Sequence, residues 1–312
     1  MNKYGSTISS CVLCPIKVNL YLRVVGKRPD GYHDIESVFD VLEGEDELRF
    51  APGPGRRLVV EGDAPPAPDN LVWKAWGAWE VRTGAPWTGT VTLTKRTPSG
   101  AGLGGGSGDA AAMLSALARL TRLPSGLEEA RSWAATLGSD VPALMRDGPS
   151  WVTGRGEHVE PLPTGGPRHY VIVWPGFTLS TAAVYARWVG EAERKGGIVS
   201  RNGWETLLAT GDTAAIARAA RNDLDASACA VEPRLDVVRR ALEPVASDGV
   251  AMTGSGSAFF LSVDGSGRAE GIARALRCEG AGWRVWTSRP VGYAGHGDAP
   301  GGGEPCRSRT SR

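Results

Sequence analysis

An α+β chain folded in two lobes is what the sequence predicts, on three observations. Short strands at 12–25, 47–51, 57–61 and 90–94 come ahead of a run of helices that begins at residue 109. Past Trp151 a second series of strands and helices starts in a new register. The 312 residues, 41% hydrophobic and with a formal net charge of +1, make a globular protein with room for two lobes.

Residues 12–25 are rich in β-branched and apolar side chains and read as a strand, with a turn at Gly31-Tyr32-His33. After Phe39 a second strand region spans 47–51, and the Pro-rich segment 52–68 holds one more at 57–61. Residues 71–82 read as a helix, with three tryptophans on and near it assigned to core packing. Ser125-Gly126-Leu127-Glu128 is a capping-box signature for a helix that runs to Leu137 and is ended by Gly138. In Ser139-Asp140-Val141-Pro142 the proline fits only a first helical turn, which puts Asp140 at or just before a helix N-terminus. The second lobe is expected as strand 170–174, helix 181–195, helices around 204–208, 213–220 and 235–242, and strand 250–253. It closes with a Gly254-Ser255-Gly256 turn, strand 258–263, helix 268–276 and strand 283–287. From Val291 onward Gly, Pro, Ser and Arg dominate without periodicity, which predicts a disordered tail. The expected division is therefore 1–155, 156–290 and a tail at 291–312.

Lys and Arg are scattered, with no basic run or aromatic-basic ladder, so nucleic acid is not an expected partner. No segment approaches the ~18 apolar residues of a membrane span and the N-terminus lacks a signal-peptide core, which points to the cytoplasm and away from membranes. Of five cysteines, Cys11 and Cys14 form a C-x-x-C with no second pair to complete a zinc site; they read as packing residues, and the odd count fits a reducing compartment. His158, His169 and His296 are scattered and receive no chemistry.

The most informative stretch is Pro98-Ser99-Gly100-Ala101-Gly102-Leu103-Gly104-Gly105-Gly106-Ser107-Gly108, with five glycines over seven positions. A helix over 109–120 follows at once, so free amide groups and a positive helix end converge on one spot, where phosphate is the natural guest. Gly100, Gly102 and Gly105 satisfy GxGxxG, but the strand before them alternates in polarity and is separated from the glycines by a stretch that includes Lys95, Arg96, Thr97 and Pro98, and no acidic residue ends a following strand about 20 residues on. A Walker A loop needs Lys followed by Ser or Thr after its last glycine, and this loop continues Ser107-Gly108-Asp109.

With Pro15-Ile16-Lys17-Val18-Asn19-Leu20, Arg28-Pro29-Asp30-Gly31-Tyr32-His33, Asp69-Asn70-Leu71, the glycine loop, Gly138-Ser139-Asp140-Val141-Pro142, Asn222-Asp223-Leu224 and Met252-Thr253-Gly254-Ser255-Gly256, the chain resembles the GHMP small-molecule kinases over all but its tail. The resemblance implies an N-terminal lobe of the ribosomal protein S5 domain 2 type, which binds ATP, and a ferredoxin-like C-terminal lobe. Asp-Gly-Tyr-His after a Lys-x-Asn strand resembles the members that phosphorylate the 2-hydroxyl of 4-diphosphocytidyl-2-C-methylerythritol with ATP and Mg²⁺. A monomer or weak homodimer goes with it, and no metal ligands are assigned. Phosphoryl transfer asks a protein mainly to position two polyanions and offset charge, which a Gly-rich cradle, a cation and a carboxylate do.

By the same resemblance Asp140 accepts the proton of the substrate hydroxyl, and Lys17 holds Asp140 and the transferring phosphoryl in register; such a base contributes ~10²–10⁴-fold. Read without the family, Asp140 is also a good helix N-cap, and Lys17 either faces solvent or is placed for a charge. The resemblance makes Tyr32 a stacking partner and His33 a hydrogen-bonding partner of cytosine, where the bare sequence offers two turn residues. It puts Asn70 and Lys95 on the adenine side, although Lys95 also reads as an exposed strand end. It puts Thr181 near the substrate and Asn19 near the catalytic carboxylate; alone these are a helix cap and a polar strand residue.

Three departures stand out: Ile16 where the family usually has Ala, Ala101 where it has Gly, and Ser107-Gly108-Asp109 where it has Ser-Ser-Asn. Gly108 removes a hydroxyl available to phosphate or metal. At ~5 Å and an effective dielectric of ~20, the Asp109 carboxylate would repel a phosphate charge by ~3 kcal/mol, unless it points at Mg²⁺. Two other functions fit the same motifs: a kinase of another small alcohol, of homoserine, sugar or mevalonate type, or a non-catalytic nucleotide-binding relative. Tyr32 and His33 count against the first, and the presence of both Lys17 and Asp140 against the second.

Overall fold

The computed structural model describes residues 10–123, 125–190, 199–278 and 282–292. The chain does not run as one strand over 12–25. It forms β1 (Ser10–Leu13), breaks at Cys14-Pro15, and resumes as β2 (Ile16–Lys27) in a different sheet. Pro15 has no N–H to continue a ladder, which makes it a natural switch point. After the 31–33 turn comes β3 (His33–Leu42), a ten-residue strand that the sequence reading left out. Its polar residues disguise it. Buried Asp40 accepts from Tyr170 Oη at 2.6 Å and Arg168 Nε at 3.1 Å, and buried Ser37 donates to the Tyr21 carbonyl.

β4 (Glu47–Pro52), β5 (Arg56–Glu61), α1 (Leu71–Thr83) and β6 (Gly89–Thr94) follow as expected. β5 and β6 lie parallel, with α1 as the crossover between them, in a four-stranded sheet of order β1-β4-β6-β5. Trp76 and Trp79 of α1 are fully buried, and their indole N–H groups reach the carbonyls of Trp87 and Ala85. Against this sheet and α1 pack α2 (Gly105–Leu120), α3 (Ser125–Trp133) with one further 3₁₀ turn at Ala134–Thr136, and the single-turn α4 (Val141–Leu144). The helix expected to reach Leu137 thus gives up α-helical form at Trp133. Glu128 pairs with Arg131 one turn on.

A second sheet has the order β10-β2-β3-β7-β8, with β7 (Ser150–Gly154), β8 (His158–Pro161) and β10 (Arg221–Asn222) all unmarked in the sequence reading. The lobe boundary expected at 155/156 falls in the β7–β8 hairpin, and β10 crosses back to pair in parallel with β2. The third sheet, β11-β12-β9-β13, is antiparallel throughout and comprises β9 (His169–Trp174), β11 (Ala251–Met252), β12 (Phe259–Val263) and β13 (Arg284–Ser288). β9 is buried on both faces. Tyr170 and Ile172 face a core shared with β2 and β3, whereas Val171 and Val173 face helices α5 (Thr181–Arg187), α8 (Asp225–Val231), α9 (Arg234–Leu242) and α10 (Ser266–Cys278). Helices α6 (Arg201–Thr210) and α7 (Thr213–Ala219) add Trp204, Leu208 and Ile216 to the shared core.

α5 ends at Arg187, where Trp188 turns extended at φ −68°, ψ 122°, so the expected helix to 195 stops eight residues early; 191–195 lie outside the described residues. The tail does not begin at Val291. That residue donates from its N–H to the Val41 carbonyl at 2.9 Å and packs on the first core, and 293–312 lie outside the described residues. No helix among the described residues is long and apolar enough to cross a membrane.

The helix expected from 109 starts four residues earlier, inside the glycine stretch, with Gly104 as its N-cap at φ +67°. This recasts Gly108. It is buried at the end of the first turn, and a Cβ there would lie 1.8 Å from the Pro15 carbonyl oxygen, so the helix can rest on the residue that leads into β2 only without a side chain at 108. Gly108→Ala is expected to lower stability by about 2 kcal/mol through overpacking, read as a reduced urea midpoint with unchanged m; a variant as stable as the parent would refute the close fit.

Candidate active site

β2 begins the site. Lys17 and Asn19 stand two residues apart on its face toward the cleft, and a register shift against β3 follows directly after Asn19. Lys17 Nζ donates to Asn19 Oδ1 at 2.6 Å and to the Gly102 carbonyl at 2.7 Å, and lies 3.9 Å from Asp140 Oδ2. Three acceptors surround three N–H bonds, the arrangement an ammonium wants. Burial pulls the Lys17 pKa below its ordinary value, and the Asp140 charge opposes that shift. Asn19 Oδ1 also accepts from the Gly254 N–H at 2.8 Å, and its Nδ2 donates to Ser37 Oγ at 3.0 Å. Asn19 is thus a buried hub joining Lys17 to the Gly254 turn.

Asp140 holds the N-cap position of α4 with Pro142 in the first turn, yet its side chain makes no capping hydrogen bond. The carboxylate is turned to the cleft instead. It lies where a Cβ on Gly104 would meet Asp140 Oδ2, Lys17 Cγ and Leu144 Cδ1, each at 3.3 Å. The glycine loop, Lys17 and Asp140 therefore converge.

Gly102, at φ +81°, is held there by a close backbone approach: a Cβ would lie 2.1 Å from the Thr253 carbonyl oxygen. The loop and the Gly254-Ser255-Gly256 turn pack backbone to backbone, and Ala258 N–H donates to the Ala101 carbonyl at 3.0 Å. Beyond Gly104, the first-turn amides of Gly105, Gly106 and Ser107 have no intrahelical acceptor and open on the cleft.

Lys95 is not an exposed strand end. Its ammonium donates to Asp46 Oδ2 at 2.6 Å and Asp109 Oδ2 at 2.7 Å, and lies 3.0 Å from where a Cβ on Gly105 would be. Asp46 also accepts from the Arg96 and Thr97 N–H groups, at 2.5 and 2.6 Å. The Asp109 charge is thus answered by Lys95 through Oδ2, while Asp109 also borders the cleft and its Oδ1 has no hydrogen-bond partner among the described residues. Burial, with Asp46 adding to it, raises the Asp109 pKa to about 6 against the opposing pull of Lys95. Asn70 caps α1, its Oδ1 accepting from Val72 N–H at 2.9 Å and its Nδ2 donating to the Pro65 carbonyl at 2.7 Å.

Most of these groups, Asp109 among them, border one cleft of about 960 Å³ between the lobes. Lys17, Asn19, Tyr32, His33, Asn70, Lys95, Asp140, Thr181 and loop residues 98–107 line it; Gly108 does not. Tyr32 is more than half exposed, and the His33 ring stands 5.0 Å from that of Tyr185 and edge-on to Trp188 at 5.7 Å. Burial and the nearby Lys27 charge lower the His33 pKa, which leaves a neutral imidazole at pH 7. Thr181 is not a cap, since Ser180 caps α5; its hydroxyl shares a 2.8 Å hydrogen bond with Ser255. The sequence reading missed Tyr185, Ser255, Arg155 and Lys27, which also line the cleft. Tyr185 lies one helical turn after Thr181, the one signal that could have found it. Burial, and then the Asp140 charge, push its phenol pKa up, so it stays protonated beside that carboxylate. Cys14 is buried in the first core and burial raises its thiol pKa, while Cys11 is exposed. Among the described residues no group of three or more His, Cys, Asp or Glu is placed to hold a metal ion.

A family model described as the GHMP kinases N-terminal domain matches residues 70–148, and one described as the GHMP kinases C-terminal matches 205–282. The chain is 34% identical over 276 residues to the 4-diphosphocytidyl-2-C-methyl-D-erythritol kinase of Desulfitobacterium hafniense, covering 88% of this chain and 93% of that one. To the enzyme of the same name from Nocardia farcinica it is 35% identical over 298 residues, covering 92% and 96%. A crystal structure of 4-(cytidine 5′-diphospho)-2C-methyl-D-erythritol kinase is similar with a TM-score of 0.75 at 34% identity, over 90% of this chain and 99% of that chain.

The Asp109 carboxyl is faced by Lys95, Asp46 and Cys14. Its folded pKa of about 6 lies above the unfolded ~3.9, so its contribution to stability is full below pH ~4 and is lost as pH rises through about 6. Urea titrations from pH 4 to 7 are expected to show the parent losing stability relative to Asp109→Asn across that window. A pH-independent difference would contradict the assignment.

Proposed function

The chain belongs to the family of GHMP small-molecule kinases, and we propose that it transfers the γ-phosphoryl of ATP, with Mg²⁺, to the 2-hydroxyl of 4-diphosphocytidyl-2-C-methyl-D-erythritol, in the non-mevalonate route to isoprenoid precursors. The observation that carries the reading is the 3.9 Å approach of Lys17 Nζ to Asp140 Oδ2 at the mouth of the glycine loop, in a cleft that also holds Tyr32 and His33.

Asp140, part-exposed and not used as a cap, takes the proton from the acceptor hydroxyl. Lys17, held on its other sides by Asn19 and Gly102, orients that carboxylate and faces the transferring group. The free amides of 105–107 and the positive end of α2 receive the polyphosphate. Asn70 and the neighbouring 64–71 segment border the adenine side; Lys95 acts there as a tethered charge beneath the loop, because its donors go to Asp46 and Asp109. At the other end Tyr32 offers a face to cytosine, and neutral His33 both donates to and accepts from its edge.

The donors that fit Mg²⁺ are the Asp140 carboxylate and the Ser107 hydroxyl, which border the cleft beside the phosphate amides; one or two carboxylates plus substrate phosphates is the usual set for this ion. Bound there, it supplies charge to offset the phosphates. The same reading has the protein work in the cytoplasm as a monomer or weak homodimer, a state that light scattering of the purified chain reads directly.

ADP release by the purified protein is expected with the cytidyl alcohol and not with homoserine, a hexose or mevalonate. Asp140→Asn is expected to lower kcat by ~10²–10⁴-fold with little change in the KM for ATP. Equal turnover of another alcohol would replace the acceptor. Full activity in the variant would remove Asp140 from the chemistry.

A further inference from the structure

Four cations line the cleft: Lys17, Lys27, Lys95 and Arg155. Lys17 is committed to Asp140, and Lys95 to Asp46 and Asp109. Arg155 is differently placed. It opens the turn between β7 and β8, and the next residue, Gly156, rests on Ser139, where a Cβ would come within 3.1 Å of Ser139 Cβ. The turn is thereby seated on the segment that carries Asp140. From there the Arg155 guanidinium reaches over the Tyr32 ring, 4.9 Å from its centroid. Its Nε lies 4.0 Å from Glu157 Oε1, the Asp30 carboxylate is close enough to feel its charge, and among the described residues its two terminal nitrogens have no hydrogen-bond partner.

We propose that Arg155 is a specificity-determining contact for the acceptor, pairing its guanidinium fork with the diphosphate that joins the base to the reacting alcohol. The inference rests on the cytidyl reading above. If the base lies at Tyr32 and His33 and the hydroxyl at Asp140, the diphosphate between them passes Arg155, which lies over the Tyr32 ring and whose next residue rests on the segment that carries Asp140. A planar fork matches two phosphate oxygens at once, and stacking on Tyr32 holds it ready without using its terminal N–H groups. The same contact braces Tyr32, which is otherwise open to solvent on its turn.

Steady-state kinetics and calorimetric binding of cytidine and cytidine 5′-diphosphate test this on the intact protein. Arg155→Met is expected to raise the acceptor KM about 10-fold while kcat and the ATP KM stay within about twofold, and to weaken the diphosphate about 10-fold but cytidine far less. Arg155→Lys, which keeps the charge without the fork, is expected to recover part of the loss. An unchanged preference for the diphosphate over cytidine in Arg155→Met, with the parent active, overturns the contact alone. A fall in kcat and in both affinities together with a lower melting temperature overturns it in favour of a structural role. A parent that binds neither compound and turns over no cytidyl alcohol overturns the functional reading itself, and the contact with it.

Discussion

The ammonium of Lys17 is taken almost wholly out of water and is held by Asn19, the Gly102 carbonyl and Asp140. An unpaired charge at that depth would cost several kcal/mol, so each partner has to be delivered to within hydrogen-bonding or ion-pair range by a different part of the chain. Asn19 comes from the same strand. Gly102 comes from a loop that can approach only because it has no side chain where the Thr253 carbonyl lies. Asp140 comes from a helix start whose capping role it leaves unused. The close backbone packing of the glycine loop on the 253–256 turn is therefore what lets a phosphate cradle, a base and its counter-charge occupy one end of a cleft.

Charge pairing of the same kind fixes how the lobes meet. Asp40 on β3 is paired with Arg168 and Tyr170 at the start of β9, all fully buried between the second and third sheets. Burial penalises the Arg168 charge, yet Asp40 and Tyr170 hold its pKa above the ordinary value. Replacing such a pair by apolar side chains is often neutral for stability; here it ties the start of β9 to β3 across two different sheets. Thr181 and Ser255, whose hydroxyls share a hydrogen bond, reach the cleft beside the glycine loop, because the 253–256 turn packs on Gly102. The exposed pairs Arg284–Glu45 and Arg289–Glu43 on the same seam contribute little beside it.

Much of the site was legible because its chemistry is local in sequence. The glycine run followed by an apolar helix pattern, the Pro142 that forces a helix start after Asp140, and the Gly31-Tyr32-His33 turn each announce themselves within a few residues. What stayed hidden depends on distant partners. β3 was invisible because Ser37 and Asp40 look like interruptions until Tyr21, Arg168 and Tyr170 are seen to satisfy them. Gly108 looked like a lost hydroxyl and is instead a packing contact with Pro15. Lys95 read as an adenine-side contact or an exposed strand end and Asp109 as a charge near the phosphates; 14 residues apart in the chain, they are also partners of each other.

Residue order alone determined which segments become strands and helices where periodicity is clean, where the phosphate-facing amides stand, and which carboxylate and lysine are the reactive candidates, because backbone freedom, helix starts and apolar spacing act over one or two turns. Which way each charged side chain points was decided only in three dimensions. A buried ammonium or carboxylate takes the direction of whatever opposite charge lies within a few ångströms, and those neighbours are brought in by sheet order and loop packing that no local window contains.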